Sequence, residues 1–245
     1  MGIEAVIFDL GETLLNYDAP DIDELFRQGG RLTYDYLRQT TGQRLCSFGR
    51  YYRRHSLSIK WHCLWSNVTG REFNCLALLG RQARHMGVRL SAEQLDELAW
   101  LWYEPLGRTV SIEPELHSRL EELGRMSLKL AIISNTFLPA VVLDNHLRQL
   151  DLLRFFPVRL YSSTTVFRKP DRRIYLHALQ ELNVSADRAV MVGDKLREDI
   201  KGAARAGIRP VFKRGRANHS VRLGDGIRSI DSIAELPGLI DGWHR

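Results

Sequence analysis

Short apolar runs that alternate with helical segments restrict the fold of this sequence more than any other feature. Runs typical of buried strands lie at residues 5–8, 128–133, 158–161, 189–192 and 211–212, and helical patterns lie at 114–124, 141–150, 171–182 and 199–206. Pro114 suits the first turn of its helix, and Gly124 suits the end. The alternation predicts an α/β fold, in which a Rossmann-like parallel sheet is covered by helices and joined by right-handed crossovers.

The segment between the first strand and the later strands has helical patterning instead. Within it, Ser91 and Gln94 have the spacing of a capping box at a helix start. The sequence therefore predicts an α/β core domain at 1–15 and 109–245, and an inserted α-helical cap domain at 16–108. We expect closure of this cap to exclude water, with hinges near Asn16–Ala19 and Gly107–Ile112.

The charge balance bears on the class of partner. The 245 residues carry a formal net charge of +6 at pH 7, which attracts anions. One segment, Arg50–His55, mixes arginines with tyrosines as single-strand-binding surfaces do. The same segment fits a half-buried helix face covered by arginine stems, and no nucleic-acid-binding motif accompanies it. We therefore expect a small anionic substrate and no nucleic-acid partner.

The hydropathy pattern and the cysteines bear on the cellular location of the protein. No apolar run approaches the ~20 residues that cross a membrane, so no membrane association is predicted. The apolar stretch near the N-terminus is short and is interrupted by Asp9, unlike a signal peptide. Cys46, Cys63 and Cys75 lack the spacing of a zinc site or a disulfide framework, which favours small buried thiols. We expect a cytoplasmic protein that is a monomer or a homodimer.

Polar side chains follow the predicted strands at the points where the strands end. Asp9 follows the first strand, Ser134 and Asn135 follow the second, and Asp194 follows the strand at 189–192. Lys169 stands just before the helix at 171–182. Because the carboxyl ends of parallel strands share one crevice, these groups are expected to converge. A carboxylate nucleophile, a hydroxyl, an ammonium and further carboxylates suit phosphoryl transfer assisted by a hard cation.

Four motifs in order resemble those of the haloacid dehalogenase superfamily of hydrolases. The family pattern DxDx[TV] appears as Asp9–Thr13 (DLGET), and a serine that ends an apolar strand appears in Ile132–Thr136 (IISNT). The lysine motif is Lys169-Pro170, and the GDxxxxD motif is Gly193–Asp199 (GDKLRED). The helical insertion falls where this family places its first type of cap. The resemblance covers the whole predicted core and implies an HAD-like fold.

The resemblance implies a nucleophile and a metal site. Asp9 would attack phosphorus and form an aspartyl-phosphate. Mg²⁺ would be the cofactor, held by Asp9, the backbone carbonyl of Gly11 and Asp194, with Asp199 binding or orienting a water ligand.

The remaining motif residues would act on the substrate. By the same resemblance, Ser134 and Lys169 would stabilise the charged phosphoryl oxygens, and Lys169 would also moderate repulsion among the carboxylates. The backbone N–H of Asn135 would assist them, and Thr13 would also belong to the substrate-binding set.

Gly11 departs from the family pattern. Phosphatases of this family usually have an aspartate there, which protonates the leaving alcohol and then activates water. General acid–base help of this kind is typically worth ~10²–10⁴-fold. Glu12 is the nearest carboxylate and stands where the family usually has glycine. Its longer side chain would either replace the missing acid or point away, since side chains near a strand end alternate in direction.

Three functions therefore stay open. The first is a Mg²⁺-dependent phosphatase that acts on small phosphorylated compounds, either slowly or on good leaving groups. The second is hydrolysis of a carbon–halogen or carbon–phosphorus bond, because the family's dehalogenases and phosphonatases also lack that aspartate. Dehalogenases do not use Mg²⁺, whereas Asp194 and Asp199 indicate a cation, and the phosphonatase route has Lys60 as its one cap lysine. The third is a phosphate-binding protein with poor turnover.

Overall fold

A computed structural model describes residues 2–19, 21–42, 45–165 and 167–244. The strands are β1 (Ala5–Phe8), β2 (Asn16–Tyr17), β3 (Val110–Ser111), β4 (Lys129–Ser134), β5 (Val158–Tyr161), β6 (Ala189–Gly193), β7 (Arg209–Lys213) and β8 (Arg228–Ile230). The α-helices are α1 (Ile22–Thr41), α2 (Phe48–Thr69), α3 (Cys75–His85), α4 (Ala92–Gly107), α5 (Leu116–Arg125), α6 (Ala140–Gln149), α7 (Arg172–Leu182), α8 (Gly202–Ala206) and α9 (Leu236–His244). Among the described residues, no helix combines the length and the apolar character that crossing a membrane requires.

The chain forms two compact units. The first comprises Met1–Asn16, Ser111–Asn135 and Arg148–Arg245, and the second comprises Tyr17–Val110 and Thr136–Leu147. The connecting segments between them carry the short strands β2 and β3, which pair with each other. The expected hinges fall on these connections, and their movement stays a prediction.

The first unit is built on a six-stranded sheet with the order β5-β4-β1-β6-β7-β8, in which every neighbouring pair is parallel. This confirms the α/β fold. The sequence AVIF of β1 is buried along its whole length because helices cover both faces of such a sheet, as its unbroken apolar run predicts. One face packs Ile7, Ile133 and Met191 against Ile174 and Tyr175 of α7.

Two helix boundaries in this unit differ from the sequence prediction. α5 begins at Leu116 rather than at Pro114, and Gly124 lies inside it. Glu113, the residue before Pro114, bonds a distant part of the chain. Its carboxylate accepts hydrogen bonds from Ser232 Oγ (2.7 Å) and from the backbone N–H of Ile233 (2.9 Å). The strand β8 and the helix α9 near the C-terminus were not predicted from the sequence, because their apolar runs are short.

The second unit is helical. α4 starts at Ser91 with the predicted capping box, in which the side chains of Ser91 and Gln94 each bond the other residue's backbone. α1 packs closely on α4 because Gly29 has no side chain; a Cβ there would lie 2.3 Å from the carbonyl oxygen of Trp102. Phe26 stacks on the indole of Trp102 with ring centroids 5.3 Å apart. Large rings therefore form much of the interior of this unit.

The segment Arg50–His55 lies within α2. Tyr51 and His55 are buried, whereas Arg50, Arg53 and Arg54 are exposed. This is the amphipathic helix that one of the two interpretations of the segment predicts.

Residues 136–147 belong to the helical unit, although the sequence analysis places them in the α/β domain. Phe137 stacks on Phe73 at 5.0 Å and contacts Trp102. The hydroxyl of Tyr103 lies 2.8 Å from His146 Nδ1. The segment packs its rings into the aromatic interior of the helical unit, and periodicity in the sequence does not report such long-range contacts.

Candidate functional site

The parallel register brings three strand ends to one edge of the sheet. Phe8 lies level with Ile132 of β4 and Val192 of β6, so Asp9 emerges from the central strand between its two neighbours. The Asp9 backbone N–H donates to the carbonyl of Val192 at 2.8 Å, which continues the ladder one residue past β1. Ser134 is the last residue of β4 and is buried, and Asp194 directly follows β6.

Lys169 connects two of the carboxylates. Its Nζ donates to Asp9 Oδ1 at 2.5 Å and to Asp199 Oδ1 at 2.6 Å, and all three side chains are buried. Burial works to lower the pKa of Lys169, but the charges of Asp199 and Asp9 outweigh it and raise that pKa above its usual value. The lysine is therefore a fixed ammonium ion, and its hydrogen bond orients the carboxylate of Asp9.

Three acidic side chains form a cluster beside the ammonium group of Lys169. Carboxylate oxygens of Asp9, Asp194 and Asp199 lie within 4.8 Å of one another. Burial, together with the charges of Asp9 and Asp199, raises the pKa of Asp194 to about 7. Burial is also the main cause that raises the pKa of Asp199, to about 6, although Lys169 opposes the shift.

This donor set fits a divalent cation. When all three carboxylates are ionised, the ammonium of Lys169 balances one of their negative charges, and a divalent cation would balance the other two. Asp194 Oδ1 is buried and has no hydrogen-bond partner within the described ranges, which is costly for a carboxylate oxygen unless another group binds it. Hard oxygen ligands are those that Mg²⁺ prefers.

Gly193 explains how Asp199 reaches the cluster. A Cβ at Gly193 would lie 2.3 Å from Cγ of Asp199, so any side chain there would displace the carboxylate. The backbone N–H of Lys195 donates to Asp199 Oδ2 at 2.9 Å and fixes the second oxygen. Glycine is therefore required at position 193 for a steric reason, because it leaves room for the carboxylate of Asp199.

The segment that carries Asp199 is a π-helical turn, Leu196–Lys201, that leads into α8. The sequence analysis expects an ordinary helix from 199, so this turn is a correction. Such wide turns occur often at functional sites. The Tyr175 hydroxyl donates a hydrogen bond to the carbonyl oxygen of Glu198 in this turn. Gly202 leaves room for that hydroxyl, since a Cβ there would lie 2.2 Å from it. Sequence reasoning missed both of these supports.

Asn135 has a role that the sequence analysis does not foresee. Its side-chain Nδ2 donates to the carbonyl of Lys169 at 2.7 Å, and its Oδ1 accepts from the Lys169 backbone N–H at 2.8 Å. This pair of bonds holds the backbone of the lysine loop against the end of β4. The expected contribution of the Asn135 backbone N–H to substrate binding stays a prediction.

The turn after Asp9 contains an unusual backbone conformation. Glu12 has φ +57°, a left-handed conformation that costs a residue with a side chain roughly 1 kcal/mol. Its backbone N–H donates to the carbonyl of Leu15 at 2.7 Å, and its side chain is exposed. A glycine would adopt this left-handed φ without that cost. Whether the Glu12 carboxylate serves as an acid stays a prediction.

Gly11 and Thr13 flank Glu12. Gly11 is half-buried and bridges to Leu15, and it is not among the described residues with positive φ. An aspartate there would consequently meet no backbone strain. Thr13 is buried, and its Oγ1 has no hydrogen-bond partner among the residues that the structure describes. Its assignment to the substrate-binding set stays a prediction.

Comparison with known proteins agrees with this geometry. The family model described as haloacid dehalogenase-like hydrolase matches residues 3–207. A glyceraldehyde 3-phosphate phosphatase from Methanothermobacter thermautotrophicus is 26% identical over 97% of this chain and 100% of its own length.

Two solved structures share the fold over nearly the whole chain. A 2-haloacid dehalogenase from Pseudomonas syringae pv. Tomato DC3000 has a TM-score of 0.64 and 25% identity, covering 98% of this chain and 99% of its own. An HAD phosphatase from Thermococcus onnurineus has a TM-score of 0.60 and 23% identity over the same shares. The same fold is therefore found in a phosphatase and in a dehalogenase.

Proposed function

The chain belongs to the haloacid dehalogenase-like hydrolase family, and we propose that it is a Mg²⁺-dependent phosphatase that forms an aspartyl-phosphate on Asp9. The observation that carries this proposal is the group formed by buried Asp9, Lys169 and Asp199 with half-buried Asp194 at the carboxyl ends of the strands. Small phosphorylated compounds are the proposed substrates, and the full-length phosphatase relative supports that class.

In the proposed mechanism, Asp9 attacks the phosphorus of the substrate. A new bond forms between a carboxylate oxygen of Asp9 and phosphorus, and the bond from phosphorus to the leaving oxygen breaks with its electron pair. Lys169, which bonds Asp9 Oδ1, keeps the carboxylate oriented and offers positive charge to the phosphoryl oxygens. The hydroxyl of Ser134 and the backbone N–H of Asn135 are the proposed donors to the same oxygens.

Mg²⁺ is the proposed cofactor. Asp9, Asp194 and the backbone carbonyl of Gly11 would hold it, and Asp199 would bind it or orient a water ligand. When bound, the ion would neutralise the excess negative charge of the carboxylates and polarise the phosphoryl group.

The absence of a carboxylate at position 11 shapes the proposed activity. A leaving alcohol must depart without a proton from that position, so esters with acidic alcohols should react faster than alkyl esters. The second step, in which water cleaves the acyl-phosphate, lacks its base as well. We therefore propose that breakdown of the phosphorylated enzyme limits turnover of good substrates.

The alternative hydrolyses have less support. Gly11 suits a dehalogenase because a halide leaves without a proton, but displacement of halide does not require the acidic cluster around Asp194. For a phosphonatase, Lys60 would have to form a Schiff base, and its side chain is 72% exposed. Amines that serve this purpose are usually activated by desolvation. The cation site therefore favours the phosphatase.

The cysteines fit a reducing compartment. Cys46, Cys63 and Cys75 are all free thiols in the structure. Free thiols are usual in the cytosol, so the proposal includes a cytoplasmic location.

The first test is metal dependence. We expect hydrolysis of an activated aryl phosphate with Mg²⁺, and loss of at least ~10²-fold in rate when EDTA removes the ion. Mg²⁺ should also raise the melting temperature of the chain, and Asp194→Asn should abolish that rise because it removes a ligand. The matched control is Asp187→Asn. Asp187 is exposed and lies just before β6, at the end of the strands opposite the site. Halide release from haloacids that is indifferent to EDTA would favour the dehalogenase instead.

A further inference from the structure

The segment Arg50–His55, which has no part in the proposed catalysis, lines a cavity in the helical unit. This α2–α3 cavity has a volume of about 330 Å³ and is lined by residues of α2 and α3 and of the chain just before α2 and just after α3. Pockets that hold small molecules start at about this size, ~300–1,000 Å³. Its lining includes two exposed arginines, an exposed histidine and two buried polar side chains, which are Arg50, Arg54, His85, His55 and Gln82.

The two helices that line the cavity carry the whole excess positive charge of the chain. α2 and α3 contain six of the 35 lysines and arginines and none of the 29 aspartates and glutamates. The rest of the sequence therefore contributes nothing to the formal net charge of +6. None of the described residues that line the cavity is acidic. Such a concentration of uncompensated positive charge attracts anions.

The cations at the cavity are not neutralised by the protein. Arg50 and Arg54 lie on the same face of α2, one turn apart. Across the part of the chain that the structure describes, the side chains of Arg50, Arg54 and His85 form neither an ion pair nor a hydrogen bond. Arg173 of α7, by contrast, pairs with Asp171 at 2.7 Å. The two guanidinium groups are therefore available for the forked hydrogen bonds that arginine makes to phosphate and carboxylate groups.

Gln82 adds a buried donor that lacks an acceptor. Its side chain lines the cavity and is 9% exposed. The Oε1 atom accepts a hydrogen bond from His55 Nδ1 at 2.7 Å, whereas Nε2 has no partner among the described residues. A buried amide N–H without an acceptor is costly. Since Oε1 is occupied by His55, Nε2 is the atom of Gln82 that remains to meet a ligand.

His55 fixes the orientation of Gln82 without adding charge. Its ring stacks on Tyr51 with centroids 5.6 Å apart, and the Tyr51 hydroxyl lies 2.8 Å from Thr33 Oγ1. Burial lowers the pKa of His55, although the bond to Gln82 opposes the shift, so the ring is neutral at pH 7. The cavity thus combines a fixed, neutral donor with the charge of the exposed arginines.

We propose that the α2–α3 cavity binds a small organic anion through a phosphate or carboxylate group. Arg50 and Arg54 would bind the anionic oxygens, and the Gln82 amide would donate to the same group. All lining residues belong to the helical unit, whereas Asp9 and Lys169 belong to the α/β unit. The site therefore contains none of the proposed catalytic residues, and binding there goes beyond the proposed function.

A single-stranded nucleic acid is the competing ligand, and the aromatic side chains disfavour it. Surfaces that bind such strands stack the bases on exposed rings between their cations. In α2, Tyr51 is buried and Tyr52 is half-buried, so the segment Arg50–His55 offers no exposed ring. A small anion needs only the cations and the buried amide.

Isothermal titration calorimetry of the full chain tests the site with two probes, inorganic pyrophosphate and citrate, in the presence of EDTA. We expect saturable binding of at least one probe, and the preferred probe identifies the anionic group as phosphate or carboxylate. Arg54→Gln should weaken binding roughly 10-fold or more, because it removes a charge-assisted hydrogen bond. The matched control is Arg53→Gln, which removes the same charge from an exposed neighbour that does not line the cavity. At physiological ionic strength the control should bind within about 2-fold of the unsubstituted chain.

Ser134→Ala, in the catalytic centre, separates the two sites and should bind the probes normally. Loss of binding in Ser134→Ala but not in Arg54→Gln would place the probe at the catalytic centre and overturn the proposal. Equal weakening by Arg53→Gln and Arg54→Gln would overturn it as well, because it would indicate unspecific attraction. So would the lack of saturable binding of either probe up to ~10 mM, or tighter binding of an oligothymidylate than of both probes. Circular dichroism would verify that the variants fold. Because binding is measured without Mg²⁺ or turnover, a failure here would leave the proposed phosphatase function standing.

Discussion

Asp9→Asn is expected to lower the turnover of an activated aryl phosphate by at least ~10³-fold, because the amide cannot attack phosphorus. The fold should survive, since the substituted amide keeps an oxygen for the hydrogen bond that Lys169 Nζ now donates to Asp9 Oδ1. Lys169 also retains its contact with Asp199 at 2.6 Å. Initial rates with saturating Mg²⁺ measure the loss, and thermal melts measure the fold.

Asp187→Asn serves again as the control for this experiment, because it makes the same chemical change at the opposite edge of the sheet. Its turnover should match that of the unsubstituted chain. If Asp9→Asn folds normally and retains more than a tenth of the activity, Asp9 is not the nucleophile and the proposed chemistry is wrong.

Gly11→Asp is expected to raise turnover by ~10²-fold or more, the lower part of the range for general acid–base catalysis. The introduced carboxylate would supply the proton for the leaving alcohol and then the base for the attacking water. Since Gly11 is not among the described residues with positive φ, the substitution should not strain the backbone. The metal ligand proposed at this position is a carbonyl, which the substitution leaves in place. Alkyl phosphates should gain more than aryl phosphates, because their alcohols need the proton.

Gly11→Asn separates the acid from the added bulk. It has nearly the same shape as Gly11→Asp but no ionisable group, so its turnover should stay near that of the unsubstituted chain. Equal gains in both variants would show that the effect is one of shape. No gain in Gly11→Asp, in a protein that folds and binds Mg²⁺, would indicate that another group already acts as the acid, with Glu12 the first candidate.

The sheet was predictable because its signals are local. The strands β1 and β6 are unbroken apolar runs, and β4 is apolar between Lys129 and Ser134, as burial on both faces requires. Parallel topology then brings Asp9, Ser134 and Asp194 to one edge without further information. The pairing of Lys169 with Asp9 and Asp199 follows from that convergence, although its distances required coordinates.

The supports around the site were not predictable, because each depends on a contact between distant residues. The steric role of Gly193 becomes visible only when Asp199 lies against it. The clamp of Asn135 on the Lys169 backbone joins residues 34 positions apart. The left-handed φ of Glu12 runs against the preference of its side chain, so propensity gives no sign of it.

The most direct test of the central claim, that Asp9 becomes phosphorylated, is a rapid-quench reaction of the Mg²⁺-loaded chain with an activated aryl phosphate. The account predicts a burst of released phenol approaching the concentration of active sites, followed by a slow phase, because Gly11 leaves the acyl-phosphate without a base for its hydrolysis. Mass spectrometry of the quenched protein should find the phosphoryl group on the peptide that contains Asp9. Steady release with no burst, and no phosphoryl group on that peptide while turnover proceeds, would contradict it.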